Sequence, residues 1–193
     1  MAIRSEDSRR AVLEATMKLL EGSGSAGLSV QKLSIERIAR EAGVSKTTIY
    51  RWWSSKAAVV IDTFLDNHVA RTPVREDVPA IEALREHMAS LAEVYAGSEG
   101  RLVAQLIGEC QQDENTMVEF KKHFWTPRAL VVESLVERAK SEGSMRQGLD
   151  ARVVTEMLYA PIYFRLLFQS GTLDASHAND IMQTALEGLA AGE

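Results

Sequence analysis

Apolar residues recur along the chain every three to four positions, in segments separated by short polar stretches. That period is the one an α-helix needs to keep one face out of water. Asp7 or Ser8 is placed to cap a first helix from about Arg9 to Glu21, with Ala11, Val12, Ala15, Leu19 and Leu20 along one stripe. Met1–Glu6 is polar and reads as mobile, with Arg4 near enough to reach phosphates if the segment orders. Leu28-Ser29-Val30 fits either a core or a loop. Farther on, Lys56–Arg71 carries Val59, Val60, Phe64, Leu65 and Val69 at helical spacing, and Ala80–Tyr95 carries Ile81, Leu84, Met88, Leu91, Val94 and Tyr95. Thr72–Pro79 between them, with a proline near each end, marks a boundary. Gly97 and Gly100 break the second of these helices, and Arg101–Gln111 follows with Leu102, Val103, Leu106, Ile107 and Cys110 inward. Asn115–Ser141 reads as one long helix that Pro127 kinks or splits, because proline lacks a backbone donor and crowds the carbonyl four residues back. Asp150 is placed to cap Ala151–Gln169, which Pro161 interrupts, and His177–Ala190 ends the pattern with Ile181, Met182, Ala185, Leu186 and Leu189 apolar. No strand pattern, repeat or low-complexity tract occurs, so the fold class is all-α with about nine helices.

Leu33–Lys56, LSIERIAREAGVSKTTIYRWWSSK, departs from this regular pattern. Ser34 can cap a short helix whose Ile35, Ile38, Ala39 and Ala42 form a small apolar stripe. Gly43 sits where the chain turns, and glycine enters the left-handed conformation that ends such a helix without steric cost. Ser45 can cap a second helix, Lys46–Trp52, in which Ile49 faces back while Lys46, Thr47, Thr48 and Arg51 face out. A two-turn surface helix with small hydroxyls and cations near its N-terminus suits insertion into a DNA major groove. Thr47 and Thr48 are short enough to approach base edges, and Lys46, Tyr50, Arg51 and Lys56 can bond phosphate oxygens. Lys56 would stand beside the amides of a helix start at Ser54 or Ser55. Of the paired tryptophans, Trp53 is expected inside and Trp52 at the edge, its indole N–H able to reach a phosphate. An ordinary helical hairpin explains Gly43 and the apolar spacing but not the run TTIYRWWSSK.

Ile38-Ala39, Ala42-Gly43-Val44-Ser45-Lys46, Thr48-Ile49-Tyr50, Trp52-Trp53 and Ser55-Lys56 together resemble the DNA-binding signature of the tetracycline-repressor (TetR) family of bacterial transcription regulators. The motif covers about the first third of the chain. The resemblance implies a three-helix DNA-binding head over 1–56, a linker helix over 56–71 and a helical effector-binding and dimerisation body over 73–193. Its DNA-contacting positions would be Ser34, Ser45, Lys46, Thr47, Thr48, Tyr50, Arg51, Trp52 and Lys56. The partner would be double-stranded operator DNA with a palindrome-like sequence, and the commoner effect on transcription would be repression.

Charge distribution agrees with a divided molecule. The net charge is –5, but Met1–Thr72 holds 11 lysines and arginines against 8 acids, and Pro73–Glu193 holds 11 against 19. A basic first third on an acidic remainder fits a head that touches DNA on a body that does not. The excess of +3 is modest, so affinity would rest on doubling the head in a dimer. The run around Met157–Phe164 is apolar almost all round, and such a helix must be covered on every side. With the last helix it would pair with its copy in a four-helix bundle, through Met157, Leu158, Ile162, Phe164, Leu167, Phe168, Ile181, Met182, Leu186 and Leu189. TetR-like regulators dimerise in this way. The family holds its effector in the body, where His87, Met88, Tyr95, Gln105, Met117, Phe120, Phe124 and Trp125 suit a cavity for a small apolar or amphipathic molecule, with His123 as a further polar fixture. Each of these side chains also fits a plain core or solvent-facing role. A regulator without a small-molecule effector, constitutive or controlled by a protein partner, is the alternative.

Other classes find little support. Gly22-Ser23-Gly24-Ser25-Ala26-Gly27 matches GxGxxG, but it follows a helix instead of a strand, so it reads as a flexible connector. His68, His87, His123 and His177 are scattered, no HExxH, GxSxG or P-loop occurs, and lone Cys110 with apolar neighbours reads as a buried thiol. No catalytic residue, metal site or cofactor is expected. No apolar run approaches the ~18 residues needed to span a bilayer, and Met1–Arg10 is charged, so no membrane association and a cytoplasmic location are expected.

Overall fold

The computed structural model describes residues 2–21 and 29–189, with the side chains of all of these except 2–5, 66–70 and 189. The connector Gly22–Gly27, Leu28 and Ala190 lie outside the described residues, as do the side chains of Arg4, Val69 and Leu189. The chain forms two compact units, one of Met1–His68 with Leu102–Phe124 and one of Val69–Arg101 with Trp125–Glu193.

In the first unit, α1 (Ala2–Glu21) packs on α2 (Ile35–Ala42) and α3 (Lys46–Trp52). Val12, Leu13, Ala15, Thr16 and Leu20 are its buried positions, and the Thr16 hydroxyl bonds the Val12 carbonyl at 2.7 Å, which satisfies the one polar group on that face. The helix begins at Ala2, not near Arg9 as the capping residues predict. Ala2–Glu6 contains no glycine or proline, so the helix extends through it at little cost. A 3-10 turn, Val30–Lys32, follows with Ser29 as its cap and Val30 fully buried, which places Val30 in the core. Its amide donates to the side-chain oxygen of Gln105 at 2.8 Å, a bond that ties Leu102–Phe124 to the same unit. α4 (Lys56–Arg71) buries Val59, Val60, Ile61 and Phe64, and the Ser55 hydroxyl accepts from the Ala58 amide at its start.

The second unit is built around α5 (Ala80–Ala96), which packs against α8 (Thr126–Ser141), α9 (Ala151–Phe168) and α10 (Ala175–Leu189). Leu84, Met88 and Ala92 are fully buried along it. Pro79 offers no side-chain cap, and Glu142 supplies one from afar by accepting the Ala80 amide at 2.8 Å. The 72–79 loop is held in turn by Arg138, whose guanidinium bonds the Val78 carbonyl at 2.9 Å. Gly97 ends α5 as expected, but Gly100 lies inside α6 (Ser98–Cys110), where it meets the Tyr95 carbonyl.

Two prolines behave differently. Before Pro127, α7 (Glu114–Phe120) passes into a π-helical turn, Lys121–Trp125, and then into α8 with the proline in its first turn. The widened turn takes up the missing donor and the crowded carbonyl, so helical backbone runs without a break from Glu114 to Ser141. Counting that run once and leaving aside the 3-10 turn, the described residues hold nine helical segments and no strand. Pro161, by contrast, does not interrupt α9, which runs unbroken past it. Leu158 and Ile162 on either side are fully buried, and their packing holds the helix through the lost bond.

Candidate functional site

The surface of α3 rests on local capping. Ser34 accepts the Arg37 amide at 3.3 Å, and Gly43 ends α2 at φ 66°. Ser45 accepts the Thr48 amide at 3.1 Å, and its hydroxyl lies 2.9 Å from that of Thr48. Ile49 is fully buried against the unit, which turns Lys46, Thr47, Tyr50 and Arg51 outward. Trp53 is buried at 4% exposure while Trp52 is exposed at 37%, the division expected. Lys46 pairs with Glu36 of α2 at 2.9 Å, a bond that raises the lysine pKa and lowers that of the glutamate. Both groups are solvent-exposed, so a phosphate can compete with Glu36 for the ammonium.

Four of the candidate DNA-contacting side chains are engaged inside the protein. Ser34, Ser45 and Thr48 hold the two helix starts, and Lys56 donates to the carbonyls of Val30 at 2.9 Å and Gln31 at 3.4 Å. Lys46, Thr47, Tyr50, Arg51 and Trp52 form the exposed face. Behind it stands a group that sequence reasoning missed. Asp62 accepts from the Trp53 indole at 2.8 Å and from Arg9 at 3.1 Å, and the Arg9 guanidinium lies over the Trp53 ring. One carboxylate thus joins α1, the end of α3 and α4. The signal was available: Asp62 is an isolated acid within an apolar run, and a half-buried carboxylate requires donors.

Asp62→Ala would leave the Trp53 N–H buried without an acceptor, and is expected to cost about 1–3 kcal/mol. Asp62→Asn keeps an acceptor oxygen and should lose less. Urea unfolding with an unchanged slope measures both, and equal stabilities for the two variants would refute the role of that bond.

A cavity of about 410 Å³ opens in the second unit among α5, α8 and α9. Leu91, Ala129, Val132, Ala160, Phe164 and Leu167 give it apolar walls, and His87, Arg128, Thr155, Tyr159 and Tyr163 supply polar groups. His87 Nδ1 lies 2.6 Å from the Tyr159 hydroxyl. Burial, aided by the charge of Arg128, pushes the His87 pKa down to about 4, so the ring is neutral at pH 7. Burial likewise raises the pKa of Tyr159, Tyr163 and Tyr95, keeping all three hydroxyls protonated. The Tyr163 hydroxyl lies 3.1 Å from that of Tyr95, and Trp125 packs edge-on against the Tyr163 ring. Arg128 donates to Thr72 at 2.9 Å. Thr155 is 7% exposed, and its hydroxyl has no hydrogen-bond partner. Glu156, also on the wall, is exposed and bonded to Arg152 at 3.0 Å.

Of the eight side chains proposed for a pocket, His87 and Trp125 lie on this wall, and Tyr95 stands one hydrogen bond behind it. Met88 is a fully buried core residue. Gln105, Met117, Phe120 and Phe124 belong to the other unit, where Phe120 and Phe124 stack and Gln105 holds Val30. His123, also there, pairs with Glu119 at 3.4 Å. Met88, Phe120 and Phe124, chosen for their size, are core residues and do not border this cavity. The overlooked signal is a stripe of hydroxyls four residues apart on one helix, Thr155, Tyr159 and Tyr163.

α9 shows two faces. Leu158 and Ile162, with Met182 of α10, are fully buried within the unit. Met157, Phe164, Leu167 and Phe168 are exposed by 42–70%, and Ile181 and Leu186 are half-buried. Among the described residues no His, Cys, Asp or Glu group could hold a metal, and no helix is long and apolar enough to cross a membrane. Cys110 is buried, and burial pushes its thiol up to about 11.

Residues 12–63 match the family model for bacterial regulatory proteins of the tetR family, and residues 80–185 match that for the tetracyclin repressor-like C-terminal domain. The chain is 35% identical to the HTH-type transcriptional regulator YdeS of Bacillus subtilis (strain 168), over 97% of its own length and 92% of that protein. It is 26% identical to the DNA-binding transcriptional repressor TetR of Mycobacteroides abscessus, over 96% and 95% of the two chains. The crystal structure of the TetR family transcription regulator SCO0332 superposes with a TM-score of 0.80 at 24% identity, covering 96% of this chain and all of the other.

Proposed function

Since the chain belongs to the TetR family and is a DNA-binding transcriptional regulator, we propose that it is a sequence-specific repressor that a small molecule releases from its operator. The observation that carries the ligand part is the cavity in the second unit, apolar in its walls and furnished with buried polar groups. A regulator with no effector gains nothing from leaving the Thr155 hydroxyl buried and unbonded, since such a group costs stability. In this reading DNA recognition resides in 1–56, Lys56–Arg71 is the linker helix, and 73–193 holds effector and dimer surfaces. Lys46, Tyr50, Arg51 and Trp52 hold phosphates and Thr47 meets base edges, while Ser34, Ser45, Thr48 and Lys56 position them. The exposed face of α9, with Ile181 and Leu186 of α10, pairs with its copy, and the two-fold places two heads on a palindrome-like site. The ligand prefers one geometry of the body, shifts the population toward it and alters the spacing of the heads. No catalytic step, cofactor or metal belongs to this reading, and the cytoplasm is its setting.

A gel shift at several salt concentrations, on the intergenic DNA beside the protein's own gene with random DNA as competitor, tests it. A competitor-resistant band is expected. Arg51→Ala should weaken specific and random binding alike and reduce the salt slope by about one per head. Thr47→Ala should change sequence preference, by about 1–3 kcal/mol at one base position. Equal loss on specific and random DNA for Thr47→Ala would sink that division of roles.

A further inference from the structure

Thr155, Tyr159 and Tyr163 follow one another at four-residue intervals on α9 and all border the cavity, so three hydroxyl-bearing side chains succeed one another along one wall. The Thr155 hydroxyl has no partner at 7% exposure. A helical threonine ordinarily turns its hydroxyl to the carbonyl four residues back, as Thr16 and Thr63 do at 2.7 and 2.8 Å. Thr155 makes no such bond. The His87–Tyr159 pair also has a hydrogen to spare. With His87 neutral, imidazole and phenol bring two hydrogens to a single contact of 2.6 Å, and only one can be used there. If Nδ1–H donates, the Tyr159 O–H remains, and if Tyr159 donates, Nε2–H remains. Arg128 adds positive charge to the same wall, felt by His87, Tyr159 and Tyr163. The lining's acid, Glu156, is exposed and already bonded to Arg152.

From these observations we infer that the cavity selects an apolar molecule bearing an acceptor oxygen, a carbonyl or carboxylate, which Thr155 and the His87–Tyr159 pair bond. The inference rests on the cavity being the effector site and adds the chemistry that the site recognises. An acceptor oxygen meets the spare donors and the positive charge together, whereas a donor-only group such as an ammonium would face Arg128 and leave those hydrogens unspent. A plain hydrocarbon would fill the apolar walls and leave Thr155 as it is.

Three probes of nearly equal shape separate these cases: 2-acetylnaphthalene, 2-naphthoate and 2-isopropenylnaphthalene, the last lacking an oxygen. Equilibrium dialysis against the full-length protein should find the ketone or the carboxylate binding about tenfold more tightly than the alkene, as one or two hydrogen bonds would give. Preference between those two identifies the neutral or the anionic oxygen as the better match. Thr155→Val combined with Tyr159→Phe should abolish the advantage while leaving alkene affinity within about twofold, because the apolar contact area is kept. Each variant is checked by its thermal melt, and Thr155→Val alone serves if the pair fails to fold. Equal binding of ketone, carboxylate and alkene would overturn the acceptor rule and leave the cavity a ligand site. Failure of all three to bind would overturn both the rule and the ligand-responsive reading, leaving DNA recognition untouched.

Discussion

Gly100→Ala is expected to lower the melting temperature by roughly 10 °C, a loss of about 3 kcal/mol or more. A Cβ at this position would stand 1.9 Å from the Tyr95 carbonyl oxygen and 2.6 Å from its carbon. Those atoms are backbone, so no side chain can swing aside to make room. Alanine would normally gain up to about 1 kcal/mol over glycine within a helix. Here the clash outweighs that gain and reverses the sign. The close approach arises because α5 ends at Ala96 and α6 begins at Ser98, leaving one residue for the turn. Tyr95 must shift with its carbonyl, and its hydroxyl would lose its place beside Tyr163 at the cavity wall. Gly108, whose Cβ would meet nothing within 4 Å, is the control: Gly108→Ala on the same helix should be neutral or stabilising. Differential scanning calorimetry of both variants decides the matter, and a Gly100→Ala melt equal to wild type would refute it.

With the pairing through α9 proposed above, Met157→Glu combined with Phe168→Glu should turn a dimeric protein into a monomer and cost about 10²–10⁴ in affinity for a two-half-site operator. The two side chains are exposed by 51% and 70% in one copy, so their replacement removes little packing within the unit. In a two-fold interface each glutamate would be buried in an apolar setting near its own copy, and unpaired buried carboxylates cost several kcal/mol. The heads themselves are unchanged. Binding to a single half-site should therefore be retained, and only the gain from linking two heads should vanish. Analytical ultracentrifugation gives the association state, and fluorescence anisotropy on one-half-site and two-half-site DNA gives the affinities. A variant that remains dimeric would move the interface elsewhere, and loss of half-site binding as well would show damage to the fold instead.

Features confined to a few neighbouring residues were legible in the sequence. Ser34, Ser45 and Asp150 each accept an amide three residues on, and Gly43 takes the left-handed turn. Backbone geometry fixes such bonds once a helix starts, whatever surrounds it. Trp53 in and Trp52 out followed in the same way, because Ile49 fixes which side of α3 is buried. The helix-turn-helix motif was legible for that reason: it is a local arrangement of caps, turn and exposed side chains.

What tertiary structure alone decided involves residues far apart in the chain. Gln105 holds the amide of Val30, and Glu142 caps Ala80. Asp62 joins Arg9 to Trp53. None of these pairs shares a spacing that a period could reveal. Pro127 announced an interruption, but not the π turn that absorbs it. In α9 nearly every position is apolar, so periodicity could not say which face would turn inward. Packing against α8, α10 and α5 settled that, burying Leu158 and Ile162, leaving Met157 and Phe168 exposed, and bringing Thr155, Tyr159 and Tyr163 to the wall of a cavity that His87 also lines. The sequence by itself determined most of the helices, their caps and the exposed face of α3, because their bonds close within a turn. The cavity and the apolar outer face belong to tertiary structure, because each exists only as the space or surface that several packed helices leave.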